Sequence, residues 1–341
     1  MVGRSVDLAG CVSIHPAWAR TMITRRTRHS EPLLFLLLRL LALGCAAVLF
    51  CELGIYYTVL LGCGWPQLKA AAHRGQGWSS PPVLRALFLA DTHLLGALKG
   101  HWLDKLRRMD WYKLQRFEGV FNFTSAKVVT RKGINFVLVN SIALQGDDCS
   151  ICRKVENDLQ QLSLALNCSR QLDPDNSSEN CKEKEIFPAS APILLQHFPL
   201  YRTSDEECTG EDSASPEEKK LLFREKYDTL SREASNKLLW WFHPRLILSG
   251  HTHSACTVLH GNHLAEISIP SFNWRNRNNP SFLLASITAA DFTLAKCFLP
   301  RESTVCAIYL TTVAVAINLV LFHFHFWQWM MHYLISKHKS I

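Results

Sequence analysis

Two short stretches pair apolar runs with metal-binding side chains: LFLADTH at 87–93 and LILSGHTH at 246–253. Each run reads as a buried strand. Each ends abruptly in carboxylate or imidazole, the groups that hold hard and borderline divalent cations. The carboxyl ends of strands are where α/β folds place their chemistry. A third run, PILLQH at 192–197, also stops on a histidine. Asp91, His93, His197, His251 and His253 are therefore the candidate metal ligands. They are not equally specific. A lone His197 near Pro199 is commonly a loop residue and Asp91-Thr92-His93 is a common tripeptide, whereas Gly-His-Thr-His at a strand end is far rarer.

Several elements must position these groups. Residues 85–91, 134–141, 192–197 and 246–249 read as strands, with 265–269, 280–287 and 291–299 as a closing group. Residues 102–121 and 155–166 read as helical. The stretch SREASNKLLWWF at 231–242 has a serine N-cap ahead of a helical apolar stripe. The polar composition of 167–185 marks a surface loop, and the acidic 208–220 segment reads as a mobile excursion. The triplet Gly261-Asn262-His263 reads as a turn between two strands.

The 341-residue chain is 48% hydrophobic, high for a soluble protein, and two apolar segments explain the excess. The expected organisation is a cytosolic segment at 1–32, a transmembrane helix at 33–62, a luminal domain at 63–303, a second transmembrane helix at 304–329 and a cytosolic tail at 330–341. Glu52 interrupts the first span, but the apolar residues around it outweigh one carboxylate. Arg4, Arg20, Arg25, Arg26 and Arg28 before the first span, with Lys337 and Lys339 after the second, put both termini in the cytosol. The sequons at Asn122, Asn167 and Asn176 all fall between the spans. So do Cys149, Cys152, Cys168, Cys181, Cys208, Cys256 and Cys297, which suit an oxidising lumen; their odd number leaves one thiol expected to be unpaired. The net charge of +8 is spread over termini and loops without the basic-aromatic array of a nucleic-acid module, so no nucleic-acid partner is expected.

Strand-end Asp-x-His, then a strand-end His, then Gly-His-x-His is an order that resembles the calcineurin-like metallophosphoesterases. The resemblance implies a layered metallophosphoesterase-like α/β β-sandwich flanked by helices. It also implies hydrolysis of a phosphoric ester by two divalent ions, with Mn2+ the expected pair, Asp91, His93 and His253 on the first ion and His197 and His251 on the second. Longer stretches, among them FCELGIYY, PILLQHFPLY, SREASNKLLWW, LSGHTHSAC and PSFNWRNRNNPSF, are similar to a membrane-anchored branch of that superfamily. Its members remove ethanolamine phosphate from a mannose of glycosylphosphatidylinositol (GPI) anchors. The partners implied are GPI-anchored proteins as substrates, with cargo receptors of the same route. Arg275 and Arg277, just past GHTH, would face the phosphate.

One departure limits this. The family places GDxxD and GNHD motifs after the first strand, and here LDKLRRMD runs directly into WYKLQRFEGVFN. Two βα units, about 60 residues, are missing, as in a spliced or shortened form. Asp104 and Asp110 follow neither a strand nor a glycine, and Gly261-Asn262-His263 comes after GHTH with Leu264 in place of the acid. The central sheet should therefore be shortened, the bridging carboxylate and third-motif histidine absent, and at most one ion held. The alternative from another class is a catalytically silent luminal binding or assembly protein. At the C-terminus, Lys337-His338-Lys339-Ser340-Ile341 matches a KxKxx retrieval signal for the retrograde coat, so the expected location is the ER, the ER–Golgi intermediate compartment and the cis-Golgi. This topology has a direct check: glycosidase treatment should increase the gel mobility of the membrane-bound chain. An unshifted band, with both termini protected from added protease, would sink it.

Overall fold

A computed structural model describes residues 17–68, 82–91, 125–144, 150–170, 181, 186–261 and 263–338. His93, Asp104, Asp110, Asn122, Cys149, Asn176, Asn262, Lys339 and the helix expected at 102–121 lie outside the described residues. The chain divides into two units: residues 1–55 with 304–341, and residues 56–303.

The first unit holds two helices long and apolar enough to cross a membrane, with candidate spans Leu33–Leu60 and Glu302–Lys337. Helix α1 (Ala17–Leu49) passes through a π-turn (Phe50–Gly54) into α2 (Ile55–Leu60), and α5 (Glu302–His338) is the second long helix. Glu52, the one acid in the π-turn, accepts a hydrogen bond from the Tyr309 hydroxyl of α5 at 2.9 Å. A carboxylate inside an apolar helix needs such a partner, which is how the first apolar helix accommodates it. In α5, Thr311, Thr312 and Asn318 satisfy their side chains on carbonyls three or four residues back.

The second unit is built on two sheets. Strands β2 (Ala126–Arg131), β3 (Ile134–Val139), β4 (Ile193–Gln196), β5 (Leu246–Ser249), β6 (Cys256–His260) and β7 (Leu264–Ser268) form a six-stranded sheet in the order β2-β3-β4-β5-β7-β6. The pairs β3–β4, β4–β5 and β5–β7 are parallel, and an antiparallel hairpin closes each edge. Strands β1 (Leu84–Phe88), β8 (Ser281–Ile287) and β9 (Phe292–Phe298) form an antiparallel sheet in the order β1-β8-β9. Alternation along the strands sends one face of the larger sheet to each of two cores. Ile134, Phe136, Ile193, Leu246 and Leu248 pack against Leu283, Ala285 and Ile287 of β8. Val137, Val139, Leu194 and Ile247 pack against α3 (Ser150–Arg170) and α4 (Arg232–Phe242) through Val155, Leu159, Leu166, Leu238 and Phe242. The result is the expected α/β sandwich flanked by helices.

Several expectations need correcting. Asp91 and GHTH do not end strands of one sheet: β1 belongs to the smaller sheet, where it is an edge strand with Leu87 and Leu89 exposed. Strand β2 was not anticipated, and β6 was implied only as the strand ahead of the Gly261 turn, without bounds. Asn167 is not in a loop but in the last turn of α3, where its amide donates to the Trp241 carbonyl at 3.0 Å. The 208–220 segment is pinned rather than mobile. A Cys208–Cys256 disulfide ties it down, and Asp212 is fully buried, accepting from Ser281 Oγ and Lys296 Nζ, both at 2.7 Å. The odd cysteine also disappears. Cys63, just past the first span, pairs with Cys297; Cys168 pairs with Cys181, and Cys152 is disulfide-bonded as well. The free thiols among the described residues, Cys45, Cys51 and Cys306, all lie in the spans.

Ser231 caps α4 as its sequence signature requires, its Oγ accepting from Ala234 N at 3.2 Å. Replacing it with alanine should lower stability by about 1 kcal/mol, read as a reduced melting temperature of the purified chain; an unchanged melt would show that the cap contributes nothing.

Candidate metal centre at the junction of the two sheets

Asp91 reaches the site from the end of β1 and the histidines reach it from β4 and β5, so the centre forms where the ends of the two sheets meet. Ala90 bridges Ser271, and Phe272 N donates to Ala90 O at 3.0 Å, which draws the end of β1 against the loop after β7. Gly250 N donates to His197 O at 2.9 Å, joining the ends of β4 and β5. Gly250 has no room for a side chain: a Cβ there would stand 2.9 Å from both Ala90 Cβ and Asp91 Oδ2. That explains the glycine of GHTH. It lets a carboxylate from one sheet rest on the backbone of the other, where Asp91 Oδ2 accepts from His251 N at 2.8 Å.

The remaining carboxylate oxygen is the focus of the site. Asp91 Oδ1 lies 3.7 Å from His197 Nε2 and 3.6 Å from His253 Nε2, and the Asp91 side chain is only 4% exposed. A buried carboxylate facing two imidazoles is a donor set that fits a divalent cation. His251 is held differently. Its Nε2 lies 2.8 Å from the Tyr227 carbonyl and so carries the proton, leaving Nδ1 as the nitrogen with a free lone pair. Burial lowers its pKa and the neighbouring His197 adds to this, while the Tyr227 carbonyl opposes them; the ring stays neutral, as a ligand must. The structure thus groups Asp91 with His197 and His253, and sets His251 beside His197 with ring centroids 5.1 Å apart. Three of these residues adopt positive φ: Asp91 at 46°, His251 at 70° and His253 at 60°. Non-glycine residues in that region carry strain that the surroundings must overcome.

The surroundings supply a dense set of hydrogen bonds that sequence reasoning missed. Ser271 Oγ and Asn273 Nδ2 both donate to Asp91 O, at 2.9 and 2.6 Å. Glu266, fully buried on β7, accepts through Oε1 from Leu200 N and Ser249 Oγ, both at 2.9 Å, so one carboxylate links the loop after His197 to the strand before GHTH. His260 Nε2 lies 2.8 Å from its other oxygen. Nothing in strand periodicity marked Glu266 beyond a charge in an apolar run.

A cleft of about 520 Å³ opens beside the site, lined by His251, His253, Arg224, Asp228, Asn276 and Arg277 among others. Arg277 uses its donors inside the protein, on Ser254 Oγ at 2.6 Å and Ser213 O at 2.8 Å, and burial lowers its pKa. It braces the GHTH loop. Arg275 is exposed and has no partner among the described residues, so it is the arginine of this loop free to meet an anion. Elsewhere, Asp205, Cys208 and Cys256 have the composition of a metal site, but the sulfurs are joined and Asp205 is paired with Arg202 at 2.8 Å. Gly250→Ala should therefore separate Asp91 from His251 and weaken any divalent-ion binding by at least the tenfold that about 1.4 kcal/mol represents. Titration of the purified variant against Mn2+ checks this; unchanged affinity would mean that the contact is not required.

No family model matches the chain. Curated relatives do. Metallophosphoesterase 1 of Gallus gallus is 49% identical over 378 aligned positions, covering 89% of this chain and 95% of the relative. Metallophosphoesterase 1 of Xenopus laevis is 47% identical over 363 positions, covering 84% and 89%. Since 89% of 341 residues is about 303, about 75 of the aligned positions in the first comparison have no residue here. That gap is of the size expected from the missing motifs. A solved dimetal phosphatase from Danio rerio overlays with a TM-score of 0.29 at 10% identity, covering 58% of this chain and 68% of that one, too loosely to add to the fold argument. With relatives this similar along most of their length, the chain belongs to the metallophosphoesterase 1 family of phosphoric-ester hydrolases.

Proposed function

We propose that the chain is a secretory-pathway form of a phosphodiesterase that removes ethanolamine phosphate from a mannose of GPI anchors, and that this form holds one Mn2+ instead of two and turns over slowly. The observation that carries this reading is the single buried carboxylate, Asp91, faced by His197 and His253. These three residues would hold the ion, with His93 adjacent in sequence. A bound divalent ion supplies Lewis-acid polarisation of a phosphoryl oxygen and a lowered pKa for water.

The protein's own groups do the rest. Asp91 offsets the positive charge and is held by His251 N, while Arg275 offers forked donors to the phosphate. The second ion has too few ligands. His251 Nδ1 remains, but among the described residues no other carboxylate groups with these histidines within 4.8 Å. The first site also stands open, since no choice of one donor atom each brings Asp91, His197 and His253 all within 4.8 Å of one another. Both features favour weak binding, and two-metal clamping of the attacking and leaving oxygens would be lost.

The disulfides support an oxidising compartment, and the two apolar helices support membrane anchoring. With Lys337 and Lys339 as a retrieval signal for the retrograde coat, the proposed location is the ER, the ER–Golgi intermediate compartment and the cis-Golgi membrane. GPI-anchored proteins are the proposed substrates and cargo receptors the proposed companions.

The test is metal content and turnover of the purified full chain. We expect at most one Mn2+ per chain, lost in Asp91→Asn and kept in His251→Ala, with slow hydrolysis of a phosphodiester that also disappears in Asp91→Asn. Two tightly held ions, one of them removed by His251→Ala, would falsify the one-ion reading. No ion and no turnover would instead favour the silent binding form.

A further inference from the structure

One segment that the chemistry does not use lies along the mouth of the cleft. Leu221 and Leu222 are 63% and 76% exposed and line the same cleft as His251 and His253. Their backbone is held firmly. Leu221 N donates to Glu218 O at 3.0 Å and Phe223 N donates to Thr203 O at 2.8 Å, while the Phe223 ring packs under the Arg202 guanidinium at 5.4 Å. Lys219 and Lys220 precede the leucines, and Glu218 is turned back to accept from Ser215 N at 3.1 Å. Two adjacent leucines held outward on an anchored backbone form a lip that water solvates poorly.

The way this unit begins and ends identifies what covers the lip. The loop after Ser271 contributes Asn276 and Arg277 to the cleft wall and also grips both places where the chain leaves for its apolar helices. Trp274 Nε1 donates to Pro300 O at 2.8 Å, and its ring centroid lies 6.4 Å from that of Tyr56. Asn278 accepts from Glu302 N at 2.9 Å and from Ser303 N at 2.8 Å. The cleft wall and both chain exits therefore share one short loop.

We infer that the Leu221–Leu222 lip seats in the headgroup layer of a lipid bilayer, with the ammonium groups of Lys219 and Lys220 meeting lipid phosphates, and so presents the cleft to a substrate carried on a lipid. The inference rests on the membrane-anchored reading above and goes beyond it by naming the surface that touches the bilayer. Both ends of this unit continue into apolar helices, so a bilayer is a partner the chain's own sequence brings along, which a freely diffusing partner would not match.

The experiment uses the full chain with Cys11 and the exposed free thiols among the described residues removed by Cys11→Ala, Cys45→Ala and Cys306→Ala, incorporated into phosphatidylcholine nanodiscs. A nitroxide is attached at Leu221→Cys or, independently, at Leu222→Cys. The control is Trp240→Cys on α4, where the native residue is 74% exposed. Collision rates with oxygen and with a water-soluble nickel chelate are then compared. Labels at 221 and 222 should show an oxygen-to-nickel ratio several-fold above that at 240. Equal ratios on an incorporated chain overturn the lip proposal alone. Exclusion of both reagents, with spin–spin broadening between labels, overturns it in favour of a second copy of the chain as occupant. A chain that does not incorporate into lipid at all overturns the anchored reading as well.

Discussion

The contact between the Asp91 carboxylate and the backbone at Gly250 is the constraint on which the rest of the site depends. Among the described residues it is where an acidic ligand from the end of the small antiparallel sheet meets the imidazoles of the large mixed sheet, and it exists because residue 250 carries no Cβ. Three residues around it occupy a backbone region that costs about 1–3 kcal/mol each outside glycine. That strain is sustained by Ser271 and Asn273 on the Asp91 carbonyl and by the pairing of β1 with the fully buried strand β8. The metal-facing geometry is thus a product of sheet packing, not of the motif residues alone.

Behind the site, a second carboxylate performs a different task. Glu266 binds no candidate ligand directly, yet it couples the segment following His197 to the strand end preceding His251 through two hydrogen bonds to one oxygen. Hydrogen bonds to a charged, fully buried group are stronger than neutral ones, about 1.5–3 kcal/mol each. The two loops are therefore fastened together by a group other than Asp91. Arg277, from the cleft side, ties Ser254 just past GHTH to Ser213 of the 208–220 segment.

Local rules carried much of this into the sequence. The serine cap of α4, strands β3, β4, β5, β7, β8 and β9, and the turn around Gly261 follow from periodicity and turn chemistry, and each occurs where those signals place it. What sequence could not convey is which sheet each strand joins. Strand β1 has the same apolar character as β5, so nothing in it distinguishes a parallel neighbour from an antiparallel partner across the sandwich. The 208–220 segment was misread for a related reason: its polar composition suggests solvation, whereas a disulfide and the buried Asp212 hold it in place. Pairing of cysteines and of buried charges is long-range information, and Cys63 lay too close to the apolar run to be counted with the rest.

That same Cys63 gives the two-sheet unit an unusual mechanical character. Its bond to Cys297 closes a covalent ring across a sequence separation of 234, just inside the points where the chain departs for the two apolar helices. Pull on those helices would be shared between one sulfur–sulfur linkage and the grip of Trp274 and Asn278 on the flanking chain. A backbone break anywhere within the ring would leave both halves attached. The domain is thus fastened like a bead on a closed loop.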